Sequence, residues 1–204
     1  MDVDSTLIEQ EVIELIAAFA GTQELVKEVT DSAMRGEIDF EESLKRRVAT
    51  LAGVKQASLA EIRKQITFSP GAPELVKAIQ DRGWTVALVS GGFSEIVSIL
   101  AAELNISLFQ ANQLAVKDGK LTGQTIGQVV DRAYKSKVLQ AYAEQLDIPL
   151  SRTVAIGDGA NDLDMIAKAE IGIAYRAKPI VQKAAPYNID HLSQALEIVL
   201  DYLD

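Results

Sequence analysis

Two hydropathy patterns divide this chain. Between residues 9 and 68 apolar positions recur at helical spacing, and beyond residue 70 short β-branched runs alternate with helical stretches. EQEVIELIAAFAG sets Val12, Ile13, Ile16, Ala17 and Ala20 on one helical face and stops at Gly21. TQELVKEVTDSAMRG repeats the pattern and stops at Gly36. DFEESLKRRVATLAG opens on Asp39 as an N-cap, carries Glu42 three residues on, and ends at Gly53. SLAEIRKQI adds a further short helix, so the region reads as a small helical bundle.

After Pro70-Gly71 the order is helix (PGAPELVKAIQDRG), strand (WTVALVS), helix (FSEIVSILAAELN), then two extended runs about Asp118-Gly119, a hairpin signal. YKSKVLQAYAEQLD is helix, TVAIGD strand, NDLDMIAKAE helix and IGIAY strand. Such alternation predicts an α/β fold, a doubly wound, Rossmann-like parallel sheet core with an inserted small α-helical cap domain. The expected organisation is a core of residues 1–8 and 69–204, with residues 9–68 as the cap.

Composition narrows the chemistry. The 204 residues carry a net charge of −9, which argues against a broad nucleic-acid surface and asks any anionic substrate to bring or meet a cation. No cysteine is present, which removes thiol nucleophiles and zinc–thiolate sites and fits a reducing cytoplasm. A single histidine, His191, excludes multi-histidine metal sites, and it reads as surface or helix-start structure. No apolar run is long enough to span a bilayer.

Ligands of open parallel sheets gather at the carboxyl ends of the strands. There the sequence puts Ser90-Gly91-Gly92, then Asp158 and Asp162 in GDGAND, with Asp2 and Asp4 joining them if a strand leads into Asp2. Several carboxylates in one cleft repel, and a hard divalent ion such as Mg²⁺ resolves the repulsion and turns the cleft into a phosphate site. Gly91 and Gly92, opening a helix, offer backbone N–H groups to an anion, and Lys135 offers a charge. Asp4, on the same side of an extended segment as Asp2, is available for proton transfer. Each motif alone has a plainer reading. A D-x-D pair is more often solvated or capping, SGG is more often a turn, and GDGxND also suits a helix N-cap or part of a calcium loop.

The ordered set DxDST, SGG after a strand, a lysine in YKSK and GDGxND after a strand resembles the haloacid dehalogenase superfamily of phosphohydrolases. Within it the chain is similar to the phosphoserine phosphatase family over nearly its whole length, including MRGEIDFEESLKRRV, KDGKLTG and AKP. The resemblance implies Mg²⁺-dependent hydrolysis of O-phospho-L-serine through an aspartyl-phosphate, the last step of L-serine biosynthesis. It implies that Asp2 is nucleophile and metal ligand, and that Asp4 is the general acid/base and lends its backbone carbonyl to the metal. Ser90 and Lys135 hold the phosphoryl group, with Lys137 the rival lysine. Asp158 completes the metal shell and Asp162 supports it from close by. For the substrate, Glu11 takes the amino group and Arg47 the carboxylate, Met34 and Phe40 form an apolar wall, and Asn161 and the Gly91 N–H add contacts. Read without the resemblance, Glu11 and Arg47 are ordinary exposed helix charges.

The implied partner is a small phosphorylated amino acid, with no nucleic acid and no membrane, and a homodimer is compatible with it. Alternatives are a related phosphatase or phosphotransferase, for instance on phosphohomoserine, and an inactive truncated phosphate-binding fragment. Only Met1 precedes Asp2, whereas a central parallel strand runs for several residues. The expectation is a fragment of a longer protein, lacking that strand and an N-terminal domain and leaving apolar strand edges uncovered, with a native chain start as the alternative.

Overall fold

The structure is a computed structural model that describes residues 1–34 and 37–203, with Met34 and Leu203 described by their backbone. The expected stop at Gly36 lies outside the described residues. Helices α1 (Val12–Ala20), α2 (Gln23–Met34), α3 (Phe40–Ala49) and α4 (Leu59–Arg63) come first. Gly21 ends α1 at φ 73°, left-handed backbone that glycine adopts without strain. Asp39 caps α3 by accepting the Glu42 N–H at 2.8 Å. The segment is tied at its neck by Glu9 N–H to Thr67 O at 3.1 Å and Ser69 N–H to Leu7 O at 2.9 Å.

The remaining elements are α5 (Ala72–Gln80), β1 (Ala87–Phe93), α6 (Ser94–Glu103), β2 (Leu108–Lys117), β3 (Lys120–Ile126) and α7 (Arg132–Gln145). They continue with β4 (Val154–Gly157), α8 (Leu163–Lys168), β5 (Ile171–Tyr175), α9 (Pro179–Ala184), β6 (Tyr187–Ile189) and α10 (Ser193–Leu203). β1 pairs parallel with β2, and β4, β5 and β6 pair parallel in that order. β3 folds back on β2 as the expected hairpin, with Asp118 and Gly119 both at positive φ. The hairpin also meets the helical segment, where the Leu121 N–H donates to Val54 O at 2.8 Å.

Alternate strand residues feed opposite faces, as a period of two requires. Leu88 and Ile156 pack with residues of α5, α6 and α10, while Val89 and Ala155 pack with residues of α7, α8 and α9. The sheet is therefore wound on both faces. No helix among the described residues is long and apolar enough to cross a membrane.

The amino end joins the two halves of the sheet. The Met1 ammonium donates to Ala87 O at 2.8 Å and the Val89 N–H to Met1 O at 3.0 Å. On the other side the Asp2 N–H donates to Ile156 O at 2.9 Å. Residues 1 and 2 thus lie between β1 and β4, hydrogen-bonded to both. The edges of β1 and β4, with residues of α5, α7 and α10, line a cavity of about 420 Å³.

Two expectations change. The glycines do not open a helix: β1 continues through Gly91 and Gly92 to Phe93, and α6 starts at Ser94. Lacking side chains, these glycines allow the register shift between Val89 and Phe93. The DxDST segment is extended only as far as Val3. Asp4 opens a turn in which the Ile8 N–H donates to Val3 O at 3.0 Å and Ser5 takes φ 55°.

Candidate active site

Three aspartates converge where the strands end. Asp2, Asp158 and Asp162 are buried and present carboxylate oxygens within 4.8 Å of one another. Asp2 stands at the end of its pairing with β4, and Asp158 directly follows Gly157, the last residue of that strand. Asp162 folds back over the same strand end. Its Oδ2 accepts the N–H groups of Asp158 at 3.2 Å and Gly159 at 3.1 Å. A Cβ on Gly157 would sit 2.4 Å from Asp162 Cγ, so only glycine admits that carboxylate.

Lys135 closes the cluster. Asp131 caps α7 by accepting the Tyr134 N–H at 2.7 Å, which puts Lys135 in the first turn, pointing into the core. Its buried Nζ donates to Asp2 Oδ1 at 2.6 Å and Asp162 Oδ1 at 2.7 Å. Lys137 is exposed. Both oxygens of Asp162 are thus engaged by protein donors, which suits a bracing carboxylate better than a free ligand.

Asp4 lies on the neighbouring side. A Cβ on Gly92 would come 2.7 Å from Asp4 Oδ2 and 3.1 Å from Ser90 Oγ, so the three groups crowd together. Asp4 Oδ1 is buried with no hydrogen-bond partner. The buried Ser90 hydroxyl accepts the Gly92 N–H at 2.9 Å, which spends the amide expected to meet an anion and leaves the hydroxyl proton available.

The helical segment supplies the roof. Phe40 Cζ and Asn161 Nδ2 would lie 3.4 and 3.6 Å from a Cβ on Gly91, so α3 and the GDGAND turn meet over β1. Glu11, the N-cap residue of α1, accepts from the Ser5 hydroxyl at 2.7 Å. Arg47 is half-buried and feels the carboxylates of Glu11 and Asp4. Asp2, Asp4, Glu11, Phe40, Arg47, Ser90, Gly91, Lys135, Asp158, Asn161 and Asp162 are therefore brought to one region. The Met34 side chain lies outside the described residues. His191 is exposed, with Nδ1 2.8 Å from Ser193 Oγ.

Two supporting residues are absent from the sequence reading. Buried Thr6 donates to Asp158 Oδ1 at 3.3 Å. Buried Asn112 bridges Gly91 O at 2.8 Å and the Val130 N–H at 2.9 Å, tying β1 to the approach of α7. Asn112 shares β2 with Gln110 and Gln113, so the sequence held no signal that singled it out.

The electrostatics describe a cluster short of positive charge. Burial, then Asp162, pushes the Asp2 carboxyl up to about 8 despite Lys135. Burial, then Asp162 and Glu11, pushes Asp158 up to about 6. Burial, then Glu11 and Asp2, lifts Asp4 well above the usual carboxylate range. For Lys135, burial works downward, but Asp162 and Asp2 together outweigh it and raise the ammonium above its ordinary value. For Arg47, burial lowers the guanidinium, opposed by Glu11, Asp4 and Glu14.

The donor set fits a hard divalent cation. Three carboxylates share one ammonium, a deficit of two charges, and the donors are all oxygen. The unpartnered Asp4 Oδ1 beside them is a further polar atom that the protein alone does not satisfy.

The profile of the haloacid dehalogenase-like hydrolases matches residues 1–167. A phosphoserine phosphatase of Streptomyces coelicolor is 50% identical over 185 residues, covering 91% of this chain and 45% of its own length. One from Lactococcus lactis is 47% identical over 204 residues, covering 100% of this chain and 94% of its own. The chain thus spans less than half the length of the first of these relatives and nearly all of the second. Among solved structures, the phospho-aspartyl intermediate analogue of a phosphoserine phosphatase superposes with a TM-score of 0.90 at 42% identity, over 97% of this chain and 95% of that one.

Proposed function

Because the chain belongs to the haloacid dehalogenase-like hydrolase family, we propose that it is a Mg²⁺-dependent phosphatase that hydrolyses O-phospho-L-serine to L-serine and phosphate. The observation that carries this reading is the buried Asp2–Asp158–Asp162 cluster with Lys135 spanning two of its members. The names and coverage of the relatives point the same way. The finer readings belong to the same proposal: Mg²⁺ as the ion, serine biosynthesis as the setting, the cytoplasm as the compartment. So does the division into a core of 1–8 and 69–204 and a cap of 9–68, supported by the neck hydrogen bonds at Leu7–Glu9 and Thr67–Ser69.

Asp2, the backbone carbonyl of Asp4 and Asp158 would hold the ion, braced by Asp162. A bound divalent cation supplies the positive charge that ionises Asp2 and offsets the phosphate. Ser90 and Lys135 orient the phosphoryl group. An Asp2 oxygen bonds to phosphorus as the bond to the serine oxygen breaks, and Asp4 gives that leaving oxygen its proton. Burial, then Glu11 and Asp2, raises the Asp4 carboxyl, the direction that favours the proton this step needs. The resulting carboxylate of Asp4 then takes a proton from water, whose oxygen displaces Asp2 from phosphorus and frees inorganic phosphate.

Arg47 takes the substrate carboxylate as a guanidinium fork, and Glu11 takes the ammonium. Phe40 closes over the site, Gly91 and Asn161 border it, and Met34 is assigned to the same wall. A substrate lacking either charged group strands one of this pair without a partner.

The test is phosphate release across O-phospho-L-serine, phosphohomoserine and phosphoethanolamine, with and without Mg²⁺. The reading expects Mg²⁺-dependent turnover, fastest on phosphoserine and poorest on the amine lacking a carboxylate. Equal rates on all three contradict the assignment of Arg47.

A further inference from the structure

The irregular end of β1 takes backbone groups out of the sheet ladder. Val89 pairs with Gln110 and Phe93 with Asn112, so Ser90, Gly91 and Gly92 together face Ala111. The Gly92 N–H turns to the Ser90 hydroxyl at 2.9 Å. The Gly91 carbonyl accepts from Asn112 Nδ2 at 2.8 Å, and Oδ1 of the same amide accepts the Val130 N–H at 2.9 Å. Asn112 is 1% exposed and Val130 0%, so bulk water does not stand in for either bond. The amide therefore joins two segments. Gly91 directly follows Ser90. Val130 directly precedes Asp131, which caps α7 through the Tyr134 N–H at 2.7 Å and whose carbonyl accepts the Lys135 N–H at 2.9 Å.

We propose that Asn112 is a positioning residue for phosphoryl transfer: its side-chain amide sets the separation of the Ser90 hydroxyl from the Lys135 ammonium without touching substrate. The proposal rests on the phosphatase reading, in which Ser90 and Lys135 hold the phosphoryl group. Apolar packing between β1 and α7 is non-directional, whereas an amide bonded at both ends fixes a distance and an angle. A planar amide carries its donor and its acceptor on one carbon, which matches one free carbonyl and one free N–H. It also does so without adding a charge beside a cluster already rich in carboxylates.

Asn112→Leu keeps the size of the side chain and loses both bonds. Asn112→Asp lacks the donor while ionised and regains it when protonated, because a neutral carboxyl has one O–H and one carbonyl oxygen. Phosphoserine hydrolysis by both variants and the unsubstituted protein is measured across pH, with thermal unfolding alongside. For Asn112→Leu, kcat falls on the order of a hundredfold. Inhibition by inorganic phosphate weakens about tenfold, while inhibition by L-serine, held by Arg47 and Glu11, is unchanged. For Asn112→Asp, burial beside a carbonyl oxygen raises the new carboxyl, so its kcat relative to the unsubstituted protein climbs roughly tenfold from about pH 8 to about pH 5. Asp4 beside Gly92, Glu95 on the Leu114 N–H and Asp131 at α7 titrate in both proteins, so the ratio at each pH removes them. Asn112→Leu shows no such climb. A folded Asn112→Leu with kcat within about twofold of the unsubstituted protein overturns the proposal. So does a loss of phosphate and serine inhibition alike, or a flat ratio for Asn112→Asp. If Asn112→Leu does not fold, the Asn112→Asp ratio decides alone. An unsubstituted protein that releases no phosphate overturns the phosphatase reading and this proposal with it, whereas an active protein indifferent to both variants overturns this proposal alone.

Discussion

Lys135 Nζ stands 2.6 Å from Asp2 Oδ1, with the lysine side chain wholly buried and the aspartate nearly so. A buried cation held by two carboxylates is an organising charge: removing it leaves three buried carboxylates facing one another. Lys135→Ala is expected to lower the stability of the metal-free protein by about 3–5 kcal/mol, and Mg²⁺ is expected to restore part of it. Urea unfolding with EDTA and with Mg²⁺ measures both.

Mg²⁺ itself is a stabiliser on this account. At a concentration about a hundredfold above its Kd it raises the unfolding midpoint by roughly 5–10 °C, and EDTA reverses the gain. Asp158→Asn abolishes the shift. Asp164→Asn, which breaks only the half-exposed ion pair with Arg132, keeps it. Scanning calorimetry on the three proteins separates the cluster from general acidity.

Gly92 is required by close approach rather than by backbone angle. Gly92→Ala drives a Cβ to 2.7 Å from Asp4 Oδ2 and 3.1 Å from Ser90 Oγ. Phosphatase activity falls on the order of a hundredfold as the proton donor is displaced, while stability drops by only about 1–3 kcal/mol. Single-turnover kinetics and thermal unfolding of the same variant check the two effects.

How much of this was legible in the sequence depended on whether a residue's role is local. Asp39 and Glu42 at a helix start, and Asp118-Gly119 between two runs, act through neighbours in the chain, and both features appear as expected. The polar residues at strand ends were also readable, because a parallel sheet collects them at one edge. The turn at Asp4 and the strand continuing through Gly91-Gly92 were not. Asp4 crowding against Ser90 and Gly92 joins residues far apart in the sequence, and the Gly92 N–H to Ser90 hydroxyl bond, though local, follows no period that announces it. Thr6 and Asn112 were missed for the same reason, since their partners lie elsewhere in the chain. The short, mostly exposed β6 gave no period to read.

On the proposed reading, specificity rests on the charge pair of Arg47 and Glu11 above the cluster. Arg47→Lys keeps the charge but loses the planar fork, so KM for phosphoserine rises on the order of tenfold while kcat changes little. Glu11→Gln raises KM similarly, and neither variant weakens inhibition by inorganic phosphate. Steady-state kinetics with phosphate as a competitive inhibitor show whether the pair reads the amino acid alone.

The central claim is that the Asp2 carboxylate receives the phosphoryl group, and acid quenching during phosphoserine turnover followed by peptide mass spectrometry tests it directly. The account predicts one phosphoryl group on the peptide carrying Asp2, and neither adduct nor phosphate release from Asp2→Asn. Phosphate release by Asp2→Asn at the unsubstituted rate, or an adduct confined to another residue, contradicts it.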